Sequence, residues 1–204
     1  MDWFQLHSRE ATWAGIAIVA LAAGGWFYNR SRELKSERAE RAYYQAQRSV
    51  NAGNMPLAES DLKKMIERYD GTSASSLARI QLAQIMYDQG KYQEGINELK
   101  AAEDKVGSSK DFGEALHKVM AAGYEQLKNY NAAAQQYEEA SKVARFDADR
   151  QRDLASAGMA YLSAGNKEKA KQIWTDLGAD SKGAVAGEAR VRLGELTATP
   201  APKS

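Results

Sequence analysis

The sequence predicts an all-α protein, with one N-terminal transmembrane helix followed by an α-solenoid of about four helix pairs and a capping helix. Two observations predict this fold class. An uncharged run of 18 largely apolar residues stands near the start of the chain, and a turn followed by a helix recurs every 37 or 38 residues from residue 53 onward. Self-similarity at such a period is typical of proteins built from stacked helical repeats.

The body of the chain has a composition that favours helices. It is rich in Ala, Leu, Glu, Lys and Gln, and only three prolines occur in 204 residues. Two of them, Pro200 and Pro202, lie in the segment 197–204, which we predict to be a disordered tail. No stretch shows the period-two alternation of a strand, so we expect helices alone.

Residues 11–28, ATWAGIAIVALAAGGWFY, are predicted to cross a membrane after a short N-terminal segment, residues 1–10. A helix of this length spans about 27 Å at about 1.5 Å per residue, which is close to the thickness of a bilayer's hydrocarbon core. Aromatic residues cluster at both ends, where headgroups would lie. The alternatives are a signal peptide cleaved near Ala20-Leu21-Ala22 and a buried core helix.

A charged stalk, residues 29–50, follows and merges into the first repeat helix. It contains neither Gly nor Pro, so it either continues the transmembrane helix or forms a solvated linker. Five basic residues between positions 30 and 41 outnumber the single Arg9 before the span. Taken alone, the positive-inside rule therefore places the repeats in the cytoplasm.

Small residues recur in one register on both sides of each turn. The turns are predicted at Gly53-Asn54-Met55, Gly90-Lys91-Tyr92, Lys128-Asn129-Tyr130 and Gly165-Asn166-Lys167. The small positions are Ala46, Ala83, Ala121 and Gly158 in the first helices and Ala58, Gly95, Ala133 and Ala170 in the second helices. Two helices approach closely only where the contact points lack bulk, so we predict that these eight residues pack the repeats. An irregular bundle with accidental periodicity is the alternative.

The pattern resembles the tetratricopeptide repeat, whose spacing runs from a small residue through Gly-x-Tyr to Ala-x-x-x-aromatic-x-x-Ala. The third copy, with Ala133, Tyr137 and Ala140, matches best, and the resemblance covers about residues 37–180. It implies four stacked helix pairs. A last helix over residues 183–196 is expected to cap the open end, because terminal repeats need a polar outer face.

Several classes of function lack residues to support them. The net charge is +1, which provides no basic stripe for nucleic acid, and the absence of cysteine excludes disulfides and thiolate sites. Histidine occurs only at His7 and His117, with no companion ligands in sequence, and no phosphate-binding or nucleophile motif is present. We therefore expect no enzyme activity, cofactor, metal or small-molecule substrate.

The first helix of each repeat would line a groove that binds other proteins. The resemblance places ten residues in this groove, and they are Tyr43, Gln47, Val50, Ile80, Gln84, Tyr87, Lys118, Glu125, Met159 and Leu162. Aromatic and flexible apolar side chains among amides suit a peptide or helix as ligand. The alternative is that these are ordinary half-buried positions.

The membrane exit Gly25-Trp26-Phe27-Tyr28-Asn29, the segment 36–50 and the repeats together resemble the YfgM-type ancillary subunits of the bacterial SecYEG translocon. The resemblance implies a single-pass protein of the bacterial inner membrane with periplasmic repeats. It also implies the translocon, periplasmic chaperones or exported chains as partners. The alternative is an anchored scaffold that faces the cytoplasm and assembles another membrane complex.

Overall fold

The computed structural model describes the backbone of residues 8–107 and 109–197, with side chains except at residues 8–12, 14 and 15. These residues form nine α-helices and no strand. The helices are α1 (Ser8–Asn51), α2 (Met55–Tyr69), α3 (Ser73–Asp88), α4 (Tyr92–Val106), α5 (Gly113–Gln126), α6 (Tyr130–Val143), α7 (Asp147–Ser163), α8 (Lys167–Ala179) and α9 (Ala186–Thr197). Residues 1–7 of the predicted N-terminal segment and residues 198–204 of the predicted tail lie outside the described residues.

Short turns join the helices into four pairs, in which the C-terminal half of α1 packs on α2, α3 on α4, α5 on α6, and α7 on α8. Successive pairs also pack together, because α2 contacts α3, α4 contacts α5, and α6 contacts α7. The first helices α1, α3 and α5 additionally lie side by side. The predicted all-helical solenoid of paired helices is therefore confirmed.

The turn inside each pair starts with a residue in the left-handed region of the backbone. The φ angles are +71° at Gly53, +75° at Gly90, +57° at Lys128 and +79° at Gly165. Glycine adopts this conformation without a steric penalty, whereas a residue with a Cβ does not. The third turn is therefore strained at Lys128, although its next residue, Asn129, caps α6 by accepting a hydrogen bond from the Ala132 amide.

Replacing Lys128 with glycine should stabilise the protein by about 0.5–1 kcal/mol, because it relieves a left-handed conformation that costs a non-glycine residue about 1–2 kcal/mol. Chemical denaturation followed by circular dichroism would measure the change. Lys171→Gly, at an exposed position inside α8, is the matched control and should destabilise by about 1 kcal/mol. If the free energy of unfolding changes in the same direction in both variants, the left-handed conformation of Lys128 is not strained.

α1 is one unbroken helix that joins the N-terminal apolar residues to the first repeat. Of the two alternatives for residues 29–50, the structure thus shows the continuous helix. The stalk is not free along its whole length, because the Lys35 ammonium donates to the Asp70 carbonyl at 2.8 Å and Ala39 is fully buried. The first repeat therefore begins within the predicted stalk.

The described apolar side chains of the N-terminal part of α1 are exposed, and none of them belongs to a core cluster of the solenoid. Ile18, Leu21 and Phe27 are 67%, 77% and 71% exposed. Where side chains are described, no helix combines the length and the apolar character that crossing a membrane requires. The predicted span 11–28 includes residues 11, 12, 14 and 15, whose side chains are not among those that the structure describes.

The last helix covers the end of the fourth pair. It begins at Ala186, three residues later than the predicted 183–196, because the Gly183 amide donates to the Asp180 carbonyl in a turn. Ala189 is fully buried in a cluster with Trp174 and Leu177 of α8.

Candidate protein-binding groove

The eight predicted small residues all lie at buried helix contacts. Two of the contacts show why the positions are small. A Cβ on Gly158 would lie 2.9 Å from the indole of Trp174, and a Cβ on Gly95 would lie 2.4 Å from Cε1 of Tyr87. Both distances are shorter than a carbon–carbon contact allows, so the aromatic rings occupy the space that larger residues would need.

At the N-terminal end of the predicted groove, α1 and α3 are joined by a polar cluster. The Tyr43 hydroxyl donates to Oε1 of Gln81 at 3.2 Å, and Nε2 of Gln47 donates to the Tyr43 oxygen at 2.7 Å. Val50, one turn further, packs against the apolar core of the first two pairs. The structure thus brings Tyr43 and Gln47 together with Gln81, which sequence reasoning missed.

In the middle of the groove, two of the three predicted residues belong to the core. Ile80 is 7% exposed and packs in a cluster with Leu99 and Met120. Tyr87 is wedged between α4 and α5, because a Cβ on Gly123 would lie 2.2 Å from its hydroxyl oxygen. Burial raises the pKa of Tyr87. Only Gln84 presents its side chain to solvent here, so Ile80 and Tyr87 offer a partner little surface.

Charged residues line the third section, between α5 and α7. The exposed Lys118 ammonium lies 3.2 Å from Oε1 of Glu114 on its own helix and 3.5 Å from Oδ1 of Asp153 on α7. Asp153 is 2% exposed, and its other oxygen, Oδ2, has no hydrogen-bond partner among the described residues. Burial raises the pKa of the Asp153 carboxyl to about 6, although the nearby Lys118 opposes the shift.

Sequence reasoning did not single out Asp153, although the repeat register contains a signal. Asp153 stands five residues before Gly158, and the equivalent residues of the second and third pairs are Ala78 and Leu116. Both of these are fully buried core residues. A carboxylate at a position that two of the other three repeats fill with buried apolar side chains indicates a buried charge, although the first pair has the exposed Arg41 there.

An open pocket of about 330 Å³ lies at the C-terminal end of the groove, where α5, α6, α7 and α9 meet. Its lining includes Glu125, Tyr137, Met159 and Glu188. The Tyr137 hydroxyl donates to Oε2 of Glu125 at 3.4 Å, and burial raises the pKa of Glu125. Leu162 is half-buried against the neighbouring core cluster. Of the ten predicted residues, Glu125 and Met159 are those that line this pocket.

The described side chains that could ligate a metal ion are those of His117 and of the aspartates and glutamates. Among the described residues, no group of three His, Cys, Asp or Glu side chains could hold a metal ion. His117 is buried with Nδ1 2.8 Å from Oε1 of Gln136 and Nε2 3.1 Å from the Gly107 carbonyl. These contacts attach α5 to α6 and to the loop after α4, which is a structural role. His7 lies outside the described residues.

Comparisons with known proteins agree with this architecture. A tetratricopeptide repeat protein from Parabacteroides merdae ATCC 43184 superposes with a TM-score of 0.61 at 19% identity, over 78% of this chain and 60% of that one. A Podosopora anserina protein described as a kinesin light chain with nearly identical TPR-like repeats gives 0.59 at 14% identity, over 79% and 86%. BtubC (BKLC) from P. vanneervenii gives 0.56 at 15% identity, over 81% and 67%.

At these identities the solved structures show the fold alone, and the chain spans less than two thirds of the Parabacteroides protein. No curated protein sequence matches the chain. The sequence family described as the tetratricopeptide repeat-like domain, in contrast, matches residues 1–197. Since that match includes the apolar N-terminal segment, the stalk and all nine helices, the chain belongs to the tetratricopeptide repeat-like domain family.

Proposed function

We propose that the protein is a scaffold that binds a segment of another protein along the surface of α1, α3, α5 and α7 and catalyses no reaction. Tetratricopeptide-like solenoids typically present such an extended surface to their partners. The observation that carries the proposal is the pocket where α5, α6, α7 and α9 meet. Met159 and the acidic residues Glu125 and Glu188 line it, and the one basic residue of its lining, Arg152, forms an ion pair with Asp149. A flexible apolar side chain next to a charged group suits a peptide with one apolar and one basic residue.

We further propose that the N-terminal helix tethers this scaffold to a membrane. Residues 11–28 carry no charge, and the described side chains from Ile16 to Tyr28 are exposed to solvent. A surface of this kind is stable in water only when it is covered. Tethering would raise the effective concentration of the groove near partners that emerge at the same membrane.

The resemblance to YfgM-type proteins supports a finer proposal, in which the protein is an accessory of the SecYEG translocon in the bacterial inner membrane. Its repeats would then lie in the periplasm and would bind exported chains or periplasmic chaperones. The alternative is a scaffold on the cytoplasmic side, which the basic residues of the stalk favour. A reporter fused after Ser204 that is active in only one compartment would decide between the two.

Site-specific photocrosslinking in cells would test the groove. A photoreactive amino acid at Gln84 or Met159 should give adducts that mass spectrometry identifies as translocon subunits, chaperones or exported chains. Gln135 and Lys171 are matched controls, since both are exposed residues on the second helices of their pairs. These positions should give no such adducts, because they lie outside the surface of the first helices. Equal yields from both sets would argue against the groove.

A further inference from the structure

A pocket of about 390 Å³ lies on α1 just after the exposed apolar residues, and the end of α2 closes its other side. Four basic residues line it, namely Arg30, Lys35, Arg38 and Arg68, and no carboxylate does. Phe27 and Tyr69 add aromatic surface. The pocket therefore combines a positive lining with apolar walls.

Two of the four cations are compensated by neighbouring groups. The Arg30 guanidinium lies 2.8 Å from Oε2 of Glu33, and the Lys35 ammonium donates to the carbonyl of Asp70. Arg38 on α1 and Arg68 on α2, in contrast, form no ion pair with any carboxylate that the structure describes. Two guanidinium groups from two helices thus have donors available to an oxyanion, and paired N–H donors fit phosphate oxygens especially well.

The position of the pocket indicates which phosphate it would meet. Trp26, Phe27 and Tyr28 are 69%, 71% and 61% exposed, and aromatic rings of this kind settle at the level of lipid headgroups. Arg30 follows within one helical turn of these rings, so a helix anchored by the preceding apolar residues would hold the pocket against the headgroup layer.

We propose that this pocket binds the phosphate of an anionic phospholipid headgroup. The proposal rests on the membrane tether proposed above. Arg38 and Arg68 supply the contacts, and because they come from α1 and α2, a bound headgroup attaches the first repeat to the bilayer surface at a second point. This second attachment would fix the distance between the groove and the membrane surface.

Native mass spectrometry of the full chain in an uncharged detergent would measure binding of dihexanoyl-phosphatidylglycerol and of dihexanoyl-phosphatidylcholine. The wild type should bind the anionic lipid more tightly than the zwitterionic one. The double variant Arg38→Gln/Arg68→Gln should lose about tenfold or more in affinity for phosphatidylglycerol, since each basic residue near an anionic lipid contributes about 1 kcal/mol. The matched control Arg48→Gln/Lys64→Gln removes the same charge from the same two helices and should retain wild-type affinity.

An equal loss of affinity for phosphatidylglycerol in both double variants would contradict the proposed site, since it would show that the net charge of the protein determines lipid binding. If inorganic phosphate at equal concentration displaces the lipid, the ligand of the pocket is free phosphate and not a lipid headgroup. Flotation with vesicles of pure phosphatidylcholine tests the tether separately, because it needs no anionic headgroup. If both double variants float and the wild type prefers phosphatidylglycerol to phosphatidylcholine, both proposals are supported. If the variants float but the wild type shows no such preference, the tether stands and the proposed headgroup site is wrong.

Discussion

Replacing Trp174 with alanine should lower the free energy of unfolding of the repeats by about 3–5 kcal/mol, the range for removing a fully buried large aromatic side chain. Trp174 is fully buried, and its indole fills the space above Gly158 between α7 and α8. Its Nε1 has no hydrogen-bond partner among the described residues, so the loss would come from packing. Urea denaturation followed by circular dichroism would measure it.

Trp26→Ala provides the matched control, because Trp26 is 69% exposed on the N-terminal part of α1. We expect the free energy of unfolding of this variant to stay within about 0.5 kcal/mol of the wild type. A similar loss in the two variants, or none in Trp174→Ala, would show that the fourth helix pair does not depend on the contact between Trp174 and Gly158.

Replacing Asp153 with asparagine should stabilise the protein at pH 7.5, by up to about 2–3 kcal/mol at about 1.4 kcal/mol for each unit of pKa change. Burial raises the pKa of Asp153 to about 6 in the folded protein, above the ordinary value of 3.8. Folding therefore favours the neutral carboxyl, whose contribution is fully present below about pH 4 and is lost as the pH rises through about 6. Asparagine is neutral throughout, so the gain over the wild type should appear above pH 6 and shrink towards pH 4.

Denaturation of both proteins at pH 4 and pH 7.5 would test this prediction. Asp176→Asn, at an exposed position on α8, removes the same charge and should change stability little at either pH. A gain for Asp153→Asn that is equal at the two pH values would contradict titration of the buried carboxyl. A loss at pH 7.5 would show that the contact of the charged carboxylate with Lys118 outweighs the cost of burial.

The repeat architecture could be predicted from sequence because it rests on local rules that occur four times. Positive φ favours glycine at the turns, and close helix contacts require small residues, so both leave a periodic pattern. The third turn shows the limit of the rule. Lys128 adopts φ +57° without being glycine, so this turn forms although its first residue lacks the conformational freedom of glycine.

The groove was harder to predict because register indicates only which side of a helix a residue occupies. Whether that position is open depends on neighbours from other helices. The glycines at 95 and 123 leave room for the ring of Tyr87, which becomes part of the core, whereas Gln84 stays exposed in the same helix. Asp153 and Gln81 were missed for the same reason, since their partners Lys118 and Tyr43 come from a neighbouring repeat.

The unbroken course of α1 has a geometric consequence. An α-helix rotates by about 100° with each residue, so inserting one residue just after Tyr28 would turn the entire solenoid by about 100° about the axis of the N-terminal segment. Inserting seven residues would add about two helical turns, so the solenoid would regain its original orientation and lie about 10 Å further from the N-terminal segment. The rotational orientation of the repeats about the axis of the N-terminal segment therefore depends on the number of residues in α1 as well as on the chemistry of those residues.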